Sequence, residues 1–281
     1  MNVNKKENLM FLAFKMTKIC SELVFRGSFA LSVYVDDFDR EVDDLDVSLL
    51  HNDSLKNKHM NLIELMKKSE INIVDDKYSI LTTGYYEYSK IDLTVDTIKV
   101  DGMILEYTDK KIHKQELSFI TGSGDSFCFK INLYPIELLL LEKYLSLSRF
   151  FYMEHKFNDE RWLKALYDIG IISKKYKLEN LIMIDDFEDN IVKVYLEQYE
   201  VHKFFDDDIC FSRVFRSKEF FINLNDIMLE ANYYNFLKAN RINKYADFDF
   251  VKQIIKKFTE YIYKNHRIIQ IENSYNSTQN I

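Results

Sequence analysis

Between residues 8 and 24 the apolar side chains Met10, Phe11, Phe14, Ile19, Leu23 and Val24 recur near helical spacing, which predicts a first helix packed on whatever follows. Gly27 and Ser28 break that pattern, and Phe29–Val35 is an apolar segment long enough for one or two helical turns. A polar loop, 36–43, leads into 45–50, the first strand that the pattern predicts. Residues 55–69 set Leu55, Met60, Ile63, Leu65 and Met66 among lysines, the signature of a surface helix. A strand-rich stretch follows, with strands expected over 78–83, 90–100, 103–107, 116–121 and 127–133. Within 90–100, Ile91, Leu93 and Val95 alternate with Asp92, Thr94 and Asp96, a period of two. Thr121–Ser126, TGSGDS, has the small residues of a phosphate loop. It lacks both the Gly-Lys-Ser/Thr ending and a following helix, so it reads as a hairpin turn.

At Pro135 the pattern becomes helical, and proline suits the first position of a helix. Helices are expected over 135–149, 159–177, 185–204, about 217–239 and 247–265, ahead of a disordered tail. The chain therefore reads as an α/β (α+β) domain over 1–133 followed by an all-helical domain over 134–281. At 281 residues and 47% hydrophobic content there is enough material for one large or two modest cores. The formal net charge of −7 argues against a protein that binds nucleic acid over its whole surface, while leaving room for a local basic patch.

Three scattered cysteines, Cys20, Cys128 and Cys210, form no CxxC pair, and the histidines show no HxxxH or HExxH spacing. A disulfide framework or a zinc enzyme is not supported, and a reducing cytoplasm fits. The N-terminal apolar run is broken by Lys15 and Lys18 and reads as an amphipathic helix rather than a signal peptide. The most apolar window, LYPIELLLLEKYLSL, is interrupted by Glu142 and Lys143, so no membrane span is expected.

Candidate chemistry centres on Asp44-Leu45-Asp46. Along a strand alternate side chains share a face, so the two carboxylates point the same way. Paired carboxylates on one face repel each other and lose solvation, and a divalent cation is the usual remedy. A two-metal phosphoryl-transfer site wants a third carboxylate on a neighbouring strand. Asp92 and Asp96 both stand on the polar face of 90–100; Asp92 is preferred because it lies nearer the strand start. Upstream, Gly27-Ser28 offers an unhindered backbone N–H and a hydroxyl to a phosphate, with Arg26 and Arg40 as available cations. An isolated Asp-x-Asp is more often a solvated acidic turn, and it is the combination that points to a site.

A Gly-Ser pair, a short helix, an acidic strand and a later third carboxylate resemble the polymerase-β-like nucleotidyltransferase superfamily. More narrowly, FRGSFALS followed by REVDDLDVSL is similar to the AbiEii-like nucleotidyltransferase toxins of type IV toxin–antitoxin systems, whose segments read like KGGTALS and RxSEDIDL. Arg40, Asp44 and Asp46 match, Asp43 takes the glutamate position, Ser28 replaces the second glycine and Val42 the usual serine. INLYPIELLLLEKYLSLSR resembles the family's strand-then-helix segment ending in a lysine, and KALYDIGII its RDLYDL element, although Lys164-Ala165 stand where the family has Arg-Asp. The resemblance spans roughly 20–175.

It implies a polymerase-β-like domain with a mixed sheet that uses Mg²⁺ or Mn²⁺ and an NTP. Asp44, Asp46 and Asp92 are its expected metal ligands and, with Lys143, its expected catalytic residues. Gly27, Ser28, Arg40, Lys143 and Asp168 are the expected nucleotide contacts. It further implies a toxin countered by a separately encoded antitoxin, with RNA, in particular the tRNA 3′ end, as acceptor and a protein hydroxyl second. A small-molecule nucleotidyltransferase and a non-catalytic nucleotide- or partner-binding member are the alternatives. Basic residues gather in the helical half, among them Lys174, Lys175, Lys177, Lys252, Lys256 and Lys257, where an RNA acceptor is expected to lie.

Overall fold

The computed structural model describes residues 3–36, 38–50, 55–69, 71–82, 87–105, 112–154, 160–177 and 224–264. The chain divides into two compact units, Met1–Pro135 and Ile136–Ile281.

The first unit is built on a seven-stranded mixed sheet in the order β3-β4-β5-β2-β1-β7-β6. Its strands are β1 (Leu23–Phe25), β2 (Asp44–Leu50), β3 (Ile73–Thr82), β4 (Glu87–Val95), β5 (Ile98–Leu105), β6 (His113–Ile120) and β7 (Ser126–Leu133). Pairing is antiparallel except for β1 with β7 and β2 with β5. Three helices accompany the sheet: α1 (Val3–Ile19), α2 (Gly27–Tyr34) and α3 (Leu55–Lys68). On α1, Phe11 and Phe14 close over Phe127 of β7, with ring centroids 5.6 and 5.1 Å apart. Leu12, Ala13 and Met16 are fully enclosed.

Three features depart from the sequence reading. The helix expected over 8–24 runs from Val3 to Ile19, and Leu23–Phe25 is instead a central strand. All three of its side chains are buried, so it carries no alternation to betray it. Gly27 does not simply end a helix but begins one, α2. The single strand expected over 90–100 is two: β4 and β5 form a hairpin in which Val95 pairs with Ile98 across Asp96-Thr97. Asp96 takes φ +52° there, a left-handed conformation that Asp tolerates better than most residues. TGSGDS is the β6–β7 turn, with the Gly124 N–H donating to the Thr121 carbonyl (2.9 Å).

The second unit is helical: α4 (Ile136–Glu154), α5 (Glu160–Lys175), α6 (Ile227–Ala239) and α7 (Phe248–Lys264). On α4, Leu138, Leu139, Leu140, Leu141, Tyr144, Leu145 and Leu147 are all buried, the mark of a helix enclosed on most sides. The Tyr144 and Thr259 hydroxyls share a hydrogen bond (2.7 Å) that ties α4 to α7, and the Trp162 indole N–H donates to the Leu147 carbonyl (3.0 Å). On α5, Gly170 leaves room for its neighbours: a Cβ there would stand 2.8 Å from Val251 Cγ2 and 3.0 Å from Ala246 Cβ. The helix expected over 185–204 lies outside the described residues. No described helix is long and apolar enough to cross a membrane.

Candidate metal and nucleotide site

On β2, Leu45 and Val47 are buried while Asp44 and Asp46 are half-exposed, the alternation that a strand with one polar face requires. Ser48, the next residue on that polar face, is buried and accepts a hydrogen bond from Arg26 Nη1 (3.1 Å). The Arg26 guanidinium is itself buried and lies 4.8 Å from the centre of the Tyr134 ring. A buried cation thus stands two residues along the strand from Asp46, and it braces the site rather than facing solvent.

The parallel register of β2 with β5 sets Asp46 directly beside Asp101. Asp44, Asp46 and Asp101 each present a carboxylate oxygen, and the three oxygens lie within 4.8 Å of one another. Lys99 pairs with Asp101 Oδ2 at 2.9 Å from a well-exposed position. An all-oxygen donor set of this size suits a hard divalent cation such as Mg²⁺ or Mn²⁺.

The β1–α2 turn closes over this cluster. Arg26 N–H donates to the Asp46 carbonyl (2.8 Å), which anchors the turn to β2. Gly27 then adopts φ +57°, and a Cβ at this position would fall 1.8 Å from Asp46 Oδ2. Conformation and space both demand glycine here. The turn opens directly into α2, and no side chain caps that helix. The first amides of a helix have no intrahelical acceptor, so the N–H groups of Gly27, Ser28 and Phe29 form a ready anion cradle next to the carboxylates.

Arg40 is buried beside this cradle, donating from Nη2 to the Ser28 hydroxyl and from Nη1 to the Glu41 carbonyl (2.9 Å). On the acidic loop, Asp43 is exposed and paired with Lys5 of α1, with Glu41 3.8 Å from the same ammonium. The hydrogen bond that Lys5 donates to Asp43 holds its pKa above its ordinary value, against the opposing effect of partial burial.

Of the carboxylates expected from sequence, Asp44 and Asp46 come together. Asp96 does not join them: it sits in the β4–β5 turn, accepting from Asn72 Nδ2 (2.9 Å). Asp92 lies on β4 directly across from Asp101, one strand further from Asp46, and its side chain is outside the described residues. Asp101 is the residue that sequence reasoning missed, although a signal for it exists. Buried positions are odd-numbered through Leu93 and Val95 and even-numbered at Ile98 and Val100. That change of phase marks the turn and starts a new strand on which Asp101 faces the same way as Lys99.

In the helical unit, Lys143 and Asp168, both expected at the site, are ion-paired with each other at 3.1 Å; the Asp168 side chain is 0% exposed and that of Lys143 19%. Lys164, in the position of the family's arginine, pairs with Glu160 one turn earlier (3.0 Å).

A family model described as "Nucleotidyl transferase AbiEii toxin, Type IV TA system" matches residues 15–253. Among solved structures, the crystal structure of JHP933 from Helicobacter pylori matches 98% of this chain and 97% of its own, at 14% sequence identity and a TM-score of 0.40. No curated protein matches the chain.

Proposed function

Because the chain belongs to the AbiEii nucleotidyltransferase toxins of type IV toxin–antitoxin systems, and so is a nucleotidyltransferase, we propose that Asp44, Asp46 and Asp101 hold the metal ions that serve this transfer. Membership implies an NTP substrate and an antitoxin partner. The observation that carries the assignment is the convergence of three carboxylates against a glycine that no other residue could replace.

A bound Mg²⁺ or Mn²⁺ supplies Lewis-acid polarisation of the triphosphate and lowers the pKa of the attacking hydroxyl. The chain's own groups do the rest. The amides of Gly27, Ser28 and Phe29 hold phosphate oxygens, and Arg40 fixes the Ser28 hydroxyl toward the same cradle. Lys143, ion-paired with Asp168, contacts the triphosphate. Asp92, across from Asp101, orients or deprotonates the acceptor hydroxyl. Pyrophosphate leaves as the nucleotidyl group moves to the acceptor. We assign that acceptor to RNA, with the tRNA 3′ end first, and the reaction to the cytoplasm.

Incubation of the full chain with each radiolabelled NTP, Mg²⁺ and total tRNA tests this reading. Label on tRNA that disappears with EDTA and with Asp46→Asn is the expected result. Label on a small molecule favours an antibiotic-type enzyme, and nucleotide binding without transfer favours a non-catalytic member. Unchanged transfer by Asp46→Asn would sink the site assignment.

A further inference from the structure

The charge of this chain is unevenly placed. Although the net charge is −7, Lys174, Lys175, Lys177, Lys238, Arg241 and Lys244 are all exposed, and the segments 174–177 and 238–249 contain six cationic residues and two acidic ones, Asp247 and Asp249. Asp249 is already paired with Lys252 (2.6 Å). These two segments are far apart in sequence, but the fold brings them to one end of the helical unit. Lys174 Nζ donates to the Tyr245 carbonyl (3.1 Å), and Gly170 admits Ala246 and Val251 against α5. The Tyr233 hydroxyl donates to the Ala246 carbonyl (2.9 Å), which fixes the 240–247 loop to α6.

We propose that this end of the helical unit, formed by the last turn of α5 and the α6–α7 loop, is a docking surface for RNA. The inference rests on RNA being the acceptor, and it adds where the RNA is held. Lysines in the last turn of a helix are ordinary partners of its dipole, which accounts for Lys174, Lys175 and Lys238 singly. It does not account for Lys177, Arg241 and Lys244, which lie beyond the helix ends. Three tyrosines are interleaved with the cations. Tyr176 lies under Lys175 (5.8 Å), and Tyr234 and Tyr245 meet edge to face with centroids 6.1 Å apart. Cations tracking a backbone beside aromatic rings, here exposed Tyr234 and half-buried Tyr176 and Tyr245, are the arrangement that single-stranded RNA uses. A protein partner would call for an apolar centre. Among the described residues of this unit, the exposed large aliphatic ones, Ile227 and Met228, are at the opposite, N-terminal end of α6.

The test uses the full chain, fluorescein-labelled tRNA and anisotropy over a salt series, with transfer assayed in parallel. The quadruple variant Lys175→Ala/Lys177→Ala/Arg241→Ala/Lys244→Ala should bind at least about tenfold more weakly and lose roughly 0.7 of salt slope per phosphate contact removed. Binding of a fluorescent NTP and the thermal midpoint should stay as in the wild type, which reports that the variant is folded. A charge-matched control in the sheet unit, Lys6→Ala/Lys68→Ala/Lys114→Ala/Lys130→Ala, should bind tRNA as the wild type does.

Transfer to tRNA by the quadruple variant with unchanged affinity and unchanged half-saturating tRNA would overturn the surface while leaving the RNA acceptor intact. So would competition by poly-glutamate as effective as that by unlabelled RNA, which would point to an acidic protein. A wild-type chain that neither binds nor labels RNA would remove the acceptor reading and this surface together.

Discussion

The aspartate cluster of the sheet unit and the single Asp168 of the helical unit are in opposite physical states. In the sheet unit, Asp44, Asp46 and Asp101 are half-exposed like charges forced together by strand register. Exposed Lys99 pairs with Asp101, and Lys5 pairs with Asp43 and also feels the charge of Asp44. In the helical unit, Asp168 is fully enclosed and is answered at 3.1 Å by Lys143. A carboxylate buried with its own cation is a closed account, whose loss is felt by the fold. A set of half-exposed carboxylates held side by side by strand register offers its oxygens to a divalent cation from solution. The same residue type thus stands in two physical settings, a half-exposed cluster of like charges in one unit and a buried ion pair in the other.

Substitutions that set activity against stability break or sharpen this contrast. Asp46→Asn should cost on the order of 10⁴-fold in transfer rate. It should also leave the thermal midpoint unchanged or raise stability by roughly 0.2–1 kcal/mol, since it removes a like charge facing Asp101. Asp168→Ala should behave the other way, losing about 3–5 kcal/mol in urea unfolding by stranding Lys143 in a partly buried position. The double change Lys143→Met/Asp168→Leu should recover most of that stability, because the desolvation cost of both charges goes with them. It should not recover transfer if Lys143 contacts the triphosphate. If the double variant is as unstable as Asp168→Ala, the pair is not the closed account described here.

Gly27→Ala stands between the two classes. Its Cβ would meet Asp46 Oδ2 at 1.8 Å from a backbone at φ +57°, so both stability and activity should fall, the former by about 1–3 kcal/mol. A Gly27→Ala protein with wild-type transfer would remove the close packing of the α2 turn on the carboxylates from the account.

How much of this was legible in the sequence follows from strand physics. The Asp44-Leu45-Asp46 strand and the Gly27-Ser28 turn could be read, because period two and a glycine are strong local signals. β1 could not, since Leu23–Phe25 is buried on both sides and too short to show any period. The β4–β5 hairpin was hidden because its turn is Asp96-Thr97, with no glycine. The pattern over 90–100 therefore reads as one strand where there are two, and Asp101 falls on the second of them. The Lys143–Asp168 pair was anticipated as two site residues. Their contact could not be, because it depends on how α4 and α5 pack, which no local pattern encodes.

A smaller effect acts on the helical unit at high pH. Burial pushes the phenols of Tyr144 and Tyr233 well above the ordinary tyrosine range, so the folded helical unit retains protons that the unfolded chain releases. Protons bound more tightly in the folded state mean that stability is full below about pH 10 and falls above it, by up to ~1.4 kcal/mol per pH unit for each group. Urea unfolding followed by circular dichroism should give a lower unfolding free energy at pH 11 than at pH 9, and less so in Tyr144→Phe. An equal or higher value at pH 11 would contradict this.

The central claim is that Asp101, rather than a carboxylate elsewhere, completes the metal site with Asp44 and Asp46. Mn²⁺ titration followed by electron paramagnetic resonance, in the presence of a non-hydrolysable NTP, measures this directly on the wild type, Asp101→Asn and Asp92→Asn. Asp101→Asn should weaken Mn²⁺ binding by about 10- to 100-fold, as loss of one ligand of a small oxygen site does, while Asp92→Asn binds nearly as the wild type. Wild-type Mn²⁺ affinity in Asp101→Asn, with binding lost in Asp92→Asn, would contradict it.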